Sequence, residues 1–462
     1  MMISAEWQDA PHVRDPVLRA TWCRLAITVG DHCLTRVHDE PATSVRQGIY
    51  GSSFPLAEWI VENWWCLLHE HALEARIPSG RRCGSQVVTA KRPSIRHRDR
   101  WLKRHNLLAA RDGGALPDVT IARDGDRIII AAFPDSSEVR QYGVKFLTET
   151  TTAESCAQVE AGLKRFVETV ISRIEEQGLL NEEPVKRLID TWAAISSADH
   201  TEFTLCRSLA ILGLDPYDPD EATDDVVALV ERVNQRFPAS LREDFFEGVD
   251  GRIDAMDQGF AWVEQAMSLF VDEAPSAVLR DSDRASYRSA YGSWPHDRGY
   301  DEARRFRSEL GLKDDQPIDD LRALLARTRG WHPDCFQELP DGCAFDGLFG
   351  RERKTSRPLL VLPSAPLRES NRRFLLSRAL FFDRLELISK SVPQLLTRSP
   401  NSLQRAARAF AAEFLAPAAA LQHSVSGTVS AEDIDVLANH FNVSSMVIQH
   451  QIENHGLACI ER

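Results

Sequence analysis

The sequence predicts an α+β protein of several domains: a mixed N-terminal part, a helical middle, and a mostly helical C-terminal part with a small sheet. Three observations carry this. The chain has 462 residues, more than one ordinary core holds, so two to four domains are expected. Alternating and helical hydrophobic patterns are mixed up to about residue 150, after which the helical period takes over. The 43% hydrophobic content is ordinary for a globular chain, and no run of eighteen apolar residues predicts a membrane span. The expected divisions are 1–150, 151–272, a linker and helix over 273–315, and 316–462.

Near the N-terminus, Trp22–Val29 and Cys33–Val37 flank Gly30-Asp31-His32, which predicts a hairpin. A helix is expected from about Pro55 to His71, capped by Ser53, with Leu56, Ile60, Trp64, Leu67 and Leu68 on its buried stripe. His69-Glu70-His71 is not a metal motif, because His residues two apart point to different faces of a helix. Asp118–Arg123 and Arg127–Phe133 around Asp124-Gly125-Asp126 give the clearest hairpin signal in the chain.

Val159, Leu163, Phe166, Val167, Val170, Ile171 and Ile174 then follow one helix face, with Thr151 or Thr152 as cap and Gly178 as stop. Helices are expected at about 183–196, 201–212, 220–237 and 240–270, punctuated by Pro184, Gly213, Pro216, Pro219 and Pro238. Residues 273–300 read as a connecting loop, and 300–330 as helical. Pro358–Pro363 reads as a strand. The segment Glu432–Ile452 resembles a helix-turn-helix, with Asn442 at the turn and Ala438, Val443, Ile448 and Ile452 in its core. From Ser444 to Gly456 it carries neither Arg nor Lys, so packing is favoured over DNA reading.

Two stretches bear on chemistry. Residues 373–386 begin Arg373-Phe374 and run through Arg378, Ala379 and Phe382; residues 404–417 include Phe410-Ala411-Ala412-Glu413-Phe414-Leu415-Ala416-Pro417. Together they resemble the ImmA/IrrE family of zinc metallo-endopeptidases. In that family an Arg-Phe pair leads into a helix with His-Glu-x-x-His, and a second helix supplies a Glu ligand before Phe-Ala-Ala-Glu-Leu-Leu-x-Pro. Asp341-Gly342, Asp346-Gly347, the Pro358–Pro363 strand and Val443-Ser444 agree with the resemblance in order, over about residues 316–462. It implies a zincin-like C-terminal domain.

The resemblance also places the family's two His ligands at Arg378 and Phe382, its general base at Ala379 and its third ligand at Gln404. Two imidazoles one turn apart can share a zinc ion while the Glu activates its water. A guanidinium repels a dication, Ala and Phe carry no donor, and Gln is a weak oxygen ligand. The expectation is therefore no catalytic residue and no cofactor. The alternative is an active zinc peptidase with ligands from elsewhere, such as His423 or His440. Family members commonly act in mobile elements and stress responses by cleaving a repressor. The resemblance thus implies a regulatory or phage-defence role with a protein partner, such as a transcriptional repressor or a toxin–antitoxin component.

Charge distribution offers another reading. The net charge of −13 argues against wholesale wrapping of nucleic acid, yet residues 76–104 hold eight Arg and two Lys against one Asp. Within it, Arg96, Arg98, Arg100, Lys103 and Arg104 could neutralise phosphates and Trp101 could stack on a base, making residues 91–104 a candidate nucleic-acid or nucleotide sensor. The competing reading is a basic surface docked on the acidic remainder of the chain. Nine scattered cysteines without a Cys-x-x-Cys pair predict free thiols in a reducing cytoplasm, and the first residues do not read as a signal peptide. Gly-rich phosphate loops and a Gly-x-Ser-x-Gly elbow are absent, and His332-Pro333-Asp334-Cys335 reads as a turn.

Overall fold

The computed structural model describes residues 1–72, 95–112, 114–135, 143–249, 251–270, 295–313, 315–332, 334–340, 345–364, 367–385 and 393–461, and the side chains of residues 95–97 are not among them. Most of the expected 273–300 loop, Asp341-Gly342, Pro333, Glu386 and the 76–94 part of the basic segment lie outside these residues, as does the side chain of Arg96. The chain forms two units, Met1–Val227 and Ala228–Arg462. Both mix helices with small sheets.

In the first unit, β1 (Met2–Trp7) pairs antiparallel with β2 (Trp22–Val29), which also pairs with β3 (His32–Cys33) and β6 (Ile49–Ser52). The first hairpin is shorter than expected. Its second arm leaves after Cys33, and β4 (Arg36–Asp39) joins a separate sheet between β5 (Ser44–Gln47) and β9 (Val144–Phe146). The third sheet contains the hairpin of β7 (Asp118–Asp124) and β8 (Arg127–Phe133), closed as expected with Asp124 opposite Arg127, and adds β10 (Thr150–Ser155).

The expected 55–71 helix is two helices, α2 (Phe54–Glu62) and α3 (Trp64–His69), divided at Asn63. Asn63 Nδ2 donates to the carbonyl of Trp59, a local side-chain bond that competes with the helical ladder. Ser53 occupies the cap position without a capping bond; its hydroxyl donates to the carbonyl of Thr21 instead.

Helix α4 spans Ile95–His105. Thr151 and Thr152 do not cap α5 (Cys156–Glu176), because they belong to β10; Ser155 and Gln158 form a capping box there. Gly178 ends the helical run with φ +69°. Helices α6 (Glu183–Ser197) and α7 (His200–Ile211) complete the unit. Val159, Leu163 and Phe166 of α5 share one core with Ile3, Ile27, Trp64 and Val119. The division expected at residue 150 is therefore absent: the helical stripe after it covers the sheets before it.

Helix α8 (Asp224–Arg236) crosses the division between the units. The expected 240–270 helix is broken into α9 (Ala239–Val249), a short 3₁₀ turn over Ile253–Ala255, and α10 (Met256–Met267). Helices α11 (Pro295–Glu309) and α12 (Leu321–Arg329) precede a four-stranded sheet. Its order is β11 (Phe336–Leu339), β13 (Pro358–Pro363), β12 (Gly347–Arg351) and β14 (Gln394–Leu396), with only the β11–β13 pair parallel. The expected Pro358–Pro363 strand is thus interior, with both prolines at its ends, where a missing N–H is tolerated.

Helix α13 (Glu369–Arg384) packs against α14 (Ser402–Leu415), and α14 also packs along α11. After α15 (Ala418–Ser424), helices α16 (Ala431–Phe441) and α17 (Ser445–His455) meet at Asn442, which is left-handed at φ 49°. Ala438, Val443, Ile448 and Ile452 are buried with Phe410 and Leu421 in the core of the unit. One short parallel strand pair, with Thr428 opposite Cys459 and Val429 opposite Ile460, ties the ends of this helical pair together.

Candidate functional site

The two stretches that resemble a peptidase core lie on α13 and α14, and their packing brings the aligned positions together. Asn401 caps α14: its Oδ1 accepts from the backbone N–H of Gln404 at 2.9 Å, fixing Gln404 in the first turn. Arg378 projects from the middle of α13 and is 1% exposed. Its Nη2 donates to Gln404 Oε1 at 2.8 Å and to the carbonyl of Thr397 at 2.5 Å, and its Nη1 donates to Asp346 Oδ2 at 2.6 Å.

The Gln404 amide is committed on both sides. Its Oε1 also accepts from the Thr397 N–H at 3.2 Å, and its Nε2 donates to the carbonyl of Leu395 at 2.5 Å. Ala379 and Phe382 are fully buried and apolar. The centre therefore holds a fixed cation, a carboxylate and an amide, with each of these groups hydrogen-bonded. A guanidinium has only donor N–H groups, so Arg378 brings positive charge and hydrogen-bond donors to the centre and no lone pair for a metal ion.

A second layer holds the loop between β14 and α14. Asn401 Nδ2 donates to Asp244 Oδ1 at 2.6 Å and to Glu247 Oε2 at 2.8 Å, while the Ser399 hydroxyl donates to Glu247. Arg408 donates to the carbonyls of Thr397 and Ser399. Close approach of α9 to this loop requires Gly248, where an added Cβ would lie 2.9 Å from both the Thr397 methyl and the Phe345 ring. Asp244, Glu247 and the role of Asp346 escaped the sequence reading. The available signal was a pair of acids three apart in an apolar helix, which by itself names no partner.

The alternative ligands lie apart from this network. His423 is exposed, with Nδ1 2.7 Å from the carbonyl of Ala419 in its own helix, and His440 is exposed beside Phe441. Among the described residues, no group of three or more His, Cys, Asp or Glu side chains could hold a metal ion.

The basic segment of the first unit is placed differently from the expectation. Trp101, at 3% exposure, stacks on His105 with ring centroids 4.4 Å apart. Arg104 is buried and forks onto Glu70, with Nη2 2.7 Å from Oε1 and Nε 3.0 Å from Oε2. Arg100 pairs with Glu221 at 2.9 Å and donates to the carbonyl of Gly213. Trp101 and Arg104 are thus buried in contacts within the unit, Arg100 is paired but its side chain stays 40% exposed, and Arg98 and Lys103 are exposed.

Glu70 is the hub, since His105 Nε2 lies 2.9 Å from its Oε2. Burial alone would raise its carboxyl, but the hydrogen bond and charge of His105 and the charge of Arg104 outweigh this and hold it below the usual carboxylate range. Gly213 supplies the shared carbonyl at φ +76°, a conformation that favours glycine.

No protein-family model matches the chain, and no curated protein matches it.

Proposed function

We propose that the second unit is a catalytically silent, ImmA/IrrE-like metallopeptidase fold that acts in regulation by binding a protein partner. The partner class is a transcriptional repressor or a toxin–antitoxin component, in a mobile-element, stress or phage-defence setting. The single observation that supports this most is the 2.8 Å bond between Arg378 and Gln404, the residues aligned with a first and a third metal ligand. A cation supplied by the chain occupies the aligned ligand position, and its charge is balanced by Asp346. Among the described residues no helix is long and apolar enough to cross a membrane.

Elemental analysis of the purified chain after dialysis against zinc tests the reading. Substoichiometric zinc and no cleavage of a candidate repressor are expected. About one zinc per chain, retained through gel filtration, would sink it in favour of an active peptidase.

A further inference from the structure

Among the described residues, the two most exposed large hydrophobic side chains are Val436 (63%) and Met446 (65%), and both lie on the α16–α17 pair. They flank one contact. Asp435, next to Val436, accepts a 2.5 Å hydrogen bond from the hydroxyl of Ser445, next to Met446. Each apolar side chain thus lies one residue from a contact between two helices, which are joined by the Asn442 turn and by the strand pair at their ends. Their neighbours are acidic: Glu432, Asp433 and Asp435 are all exposed. Residues 424–461 contain five carboxylates and neither Lys nor Arg.

The segment itself supplies no cation to replace the condensed counterions of a phosphate backbone. This face complements a segment that carries Lys or Arg beside a few large apolar side chains. We propose that the outer face of α16–α17 around Val436 and Met446 is a docking site for a basic amphipathic helix of a partner protein. The apolar side chains of that helix would cover Val436 and Met446, and its cations would face Glu432, Asp433 and Asp435. The proposal rests on the partner-binding reading above and names the chemistry of the partner.

The test uses the full chain and a fluorescein-labelled amphipathic helix of Leu and Lys, with two controls: one with Gln for Leu, one with Glu for Lys. The wild-type chain should bind the Leu/Lys peptide, with affinity falling as salt rises. The Val436→Lys/Met446→Lys variant should bind at least about tenfold more weakly at an unchanged melting temperature, since both side chains are exposed. Glu432→Lys should weaken binding without touching the apolar pair. Equal binding by wild type and the double variant would overturn the proposal. So would equal binding of the Gln-for-Leu peptide, no binding at low salt, or self-association of the wild type that the double variant abolishes. Zinc content is unaffected by any of these outcomes, so failure here leaves the silent-centre reading to its own test.

Discussion

Arg378 and Gln404, on two different helices, share a 2.8 Å hydrogen bond inside the core of the second unit. The bond joins the cation of α13 to the amide that also bridges Thr397 and Leu395, so it links both helices to β14 and the loop that follows it. Much of the local architecture depends on this one guanidinium.

Removing it should therefore be costly. Arg378→Met leaves Asp346 without its buried partner and the Thr397 carbonyl and Gln404 oxygen short of a donor. Breaking one side of a buried ion pair costs about 3–5 kcal/mol; the value here should fall near the lower end, because the Asp346 side chain retains 21% exposure. Urea unfolding monitored by tryptophan fluorescence gives the number. A loss under about 1 kcal/mol would mean that the network contributes little.

The same proximity predicts that a metal centre can be installed. In a chain carrying Arg378→His, Ala379→Glu, Phe382→His and Gln404→Glu, two imidazoles one turn apart would face a carboxylate from α14. Zinc should raise the melting temperature of this variant by several degrees and leave the parent chain unchanged. Calorimetry with and without zinc, together with metal analysis, reads the result; no zinc uptake by a folded variant would show that the helices hold these positions in the wrong geometry.

Acid should weaken the first unit through Glu70. Its folded carboxyl titrates below the usual range, so between the folded value and the ordinary Glu value of about 4.3 the unfolded chain binds more protons than the folded one. The stabilisation is complete above that ordinary value and is lost as pH falls through the folded one. Glu70→Gln should lower stability at pH 7 and flatten this acid limb. Denaturant midpoints collected from pH 3 to 7 on both proteins check it, and parallel curves would remove Glu70 as the source.

Trp101→Ala should act on stability and not on nucleic-acid affinity. The side chain is buried against His105, and truncating a buried aromatic of this size costs about 3–5 kcal/mol. Chemical unfolding and low-salt anisotropy with single-stranded DNA separate the two effects. Weaker DNA binding at unchanged stability would return Trp101 to the surface.

The sequence by itself determined the local elements whose signals are short-range. The 118–133 hairpin, the α5 stripe from Val159 to Ile174, the Pro358–Pro363 strand and the left-handed Asn442 turn each rest on residues within one turn or one strand of each other. The nature of the side chains at 378, 379, 382 and 404 was legible too, since donor chemistry belongs to the residue itself. Partners across long sequence separations were decided only in three dimensions. Composition made Trp101 and Arg104 look like a phosphate-binding surface, yet Arg104 is held by Glu70, Gly213 and Glu221 from 34 to 117 residues away, and Trp101 is buried against His105. The joining of α5 to the N-terminal sheets, and of Asp244 and Glu247 to Asn401, is of the same kind. A charged side chain has the same local signature in solvent and in a buried pair; the difference is the position of its counter-charge, which only the tertiary packing sets.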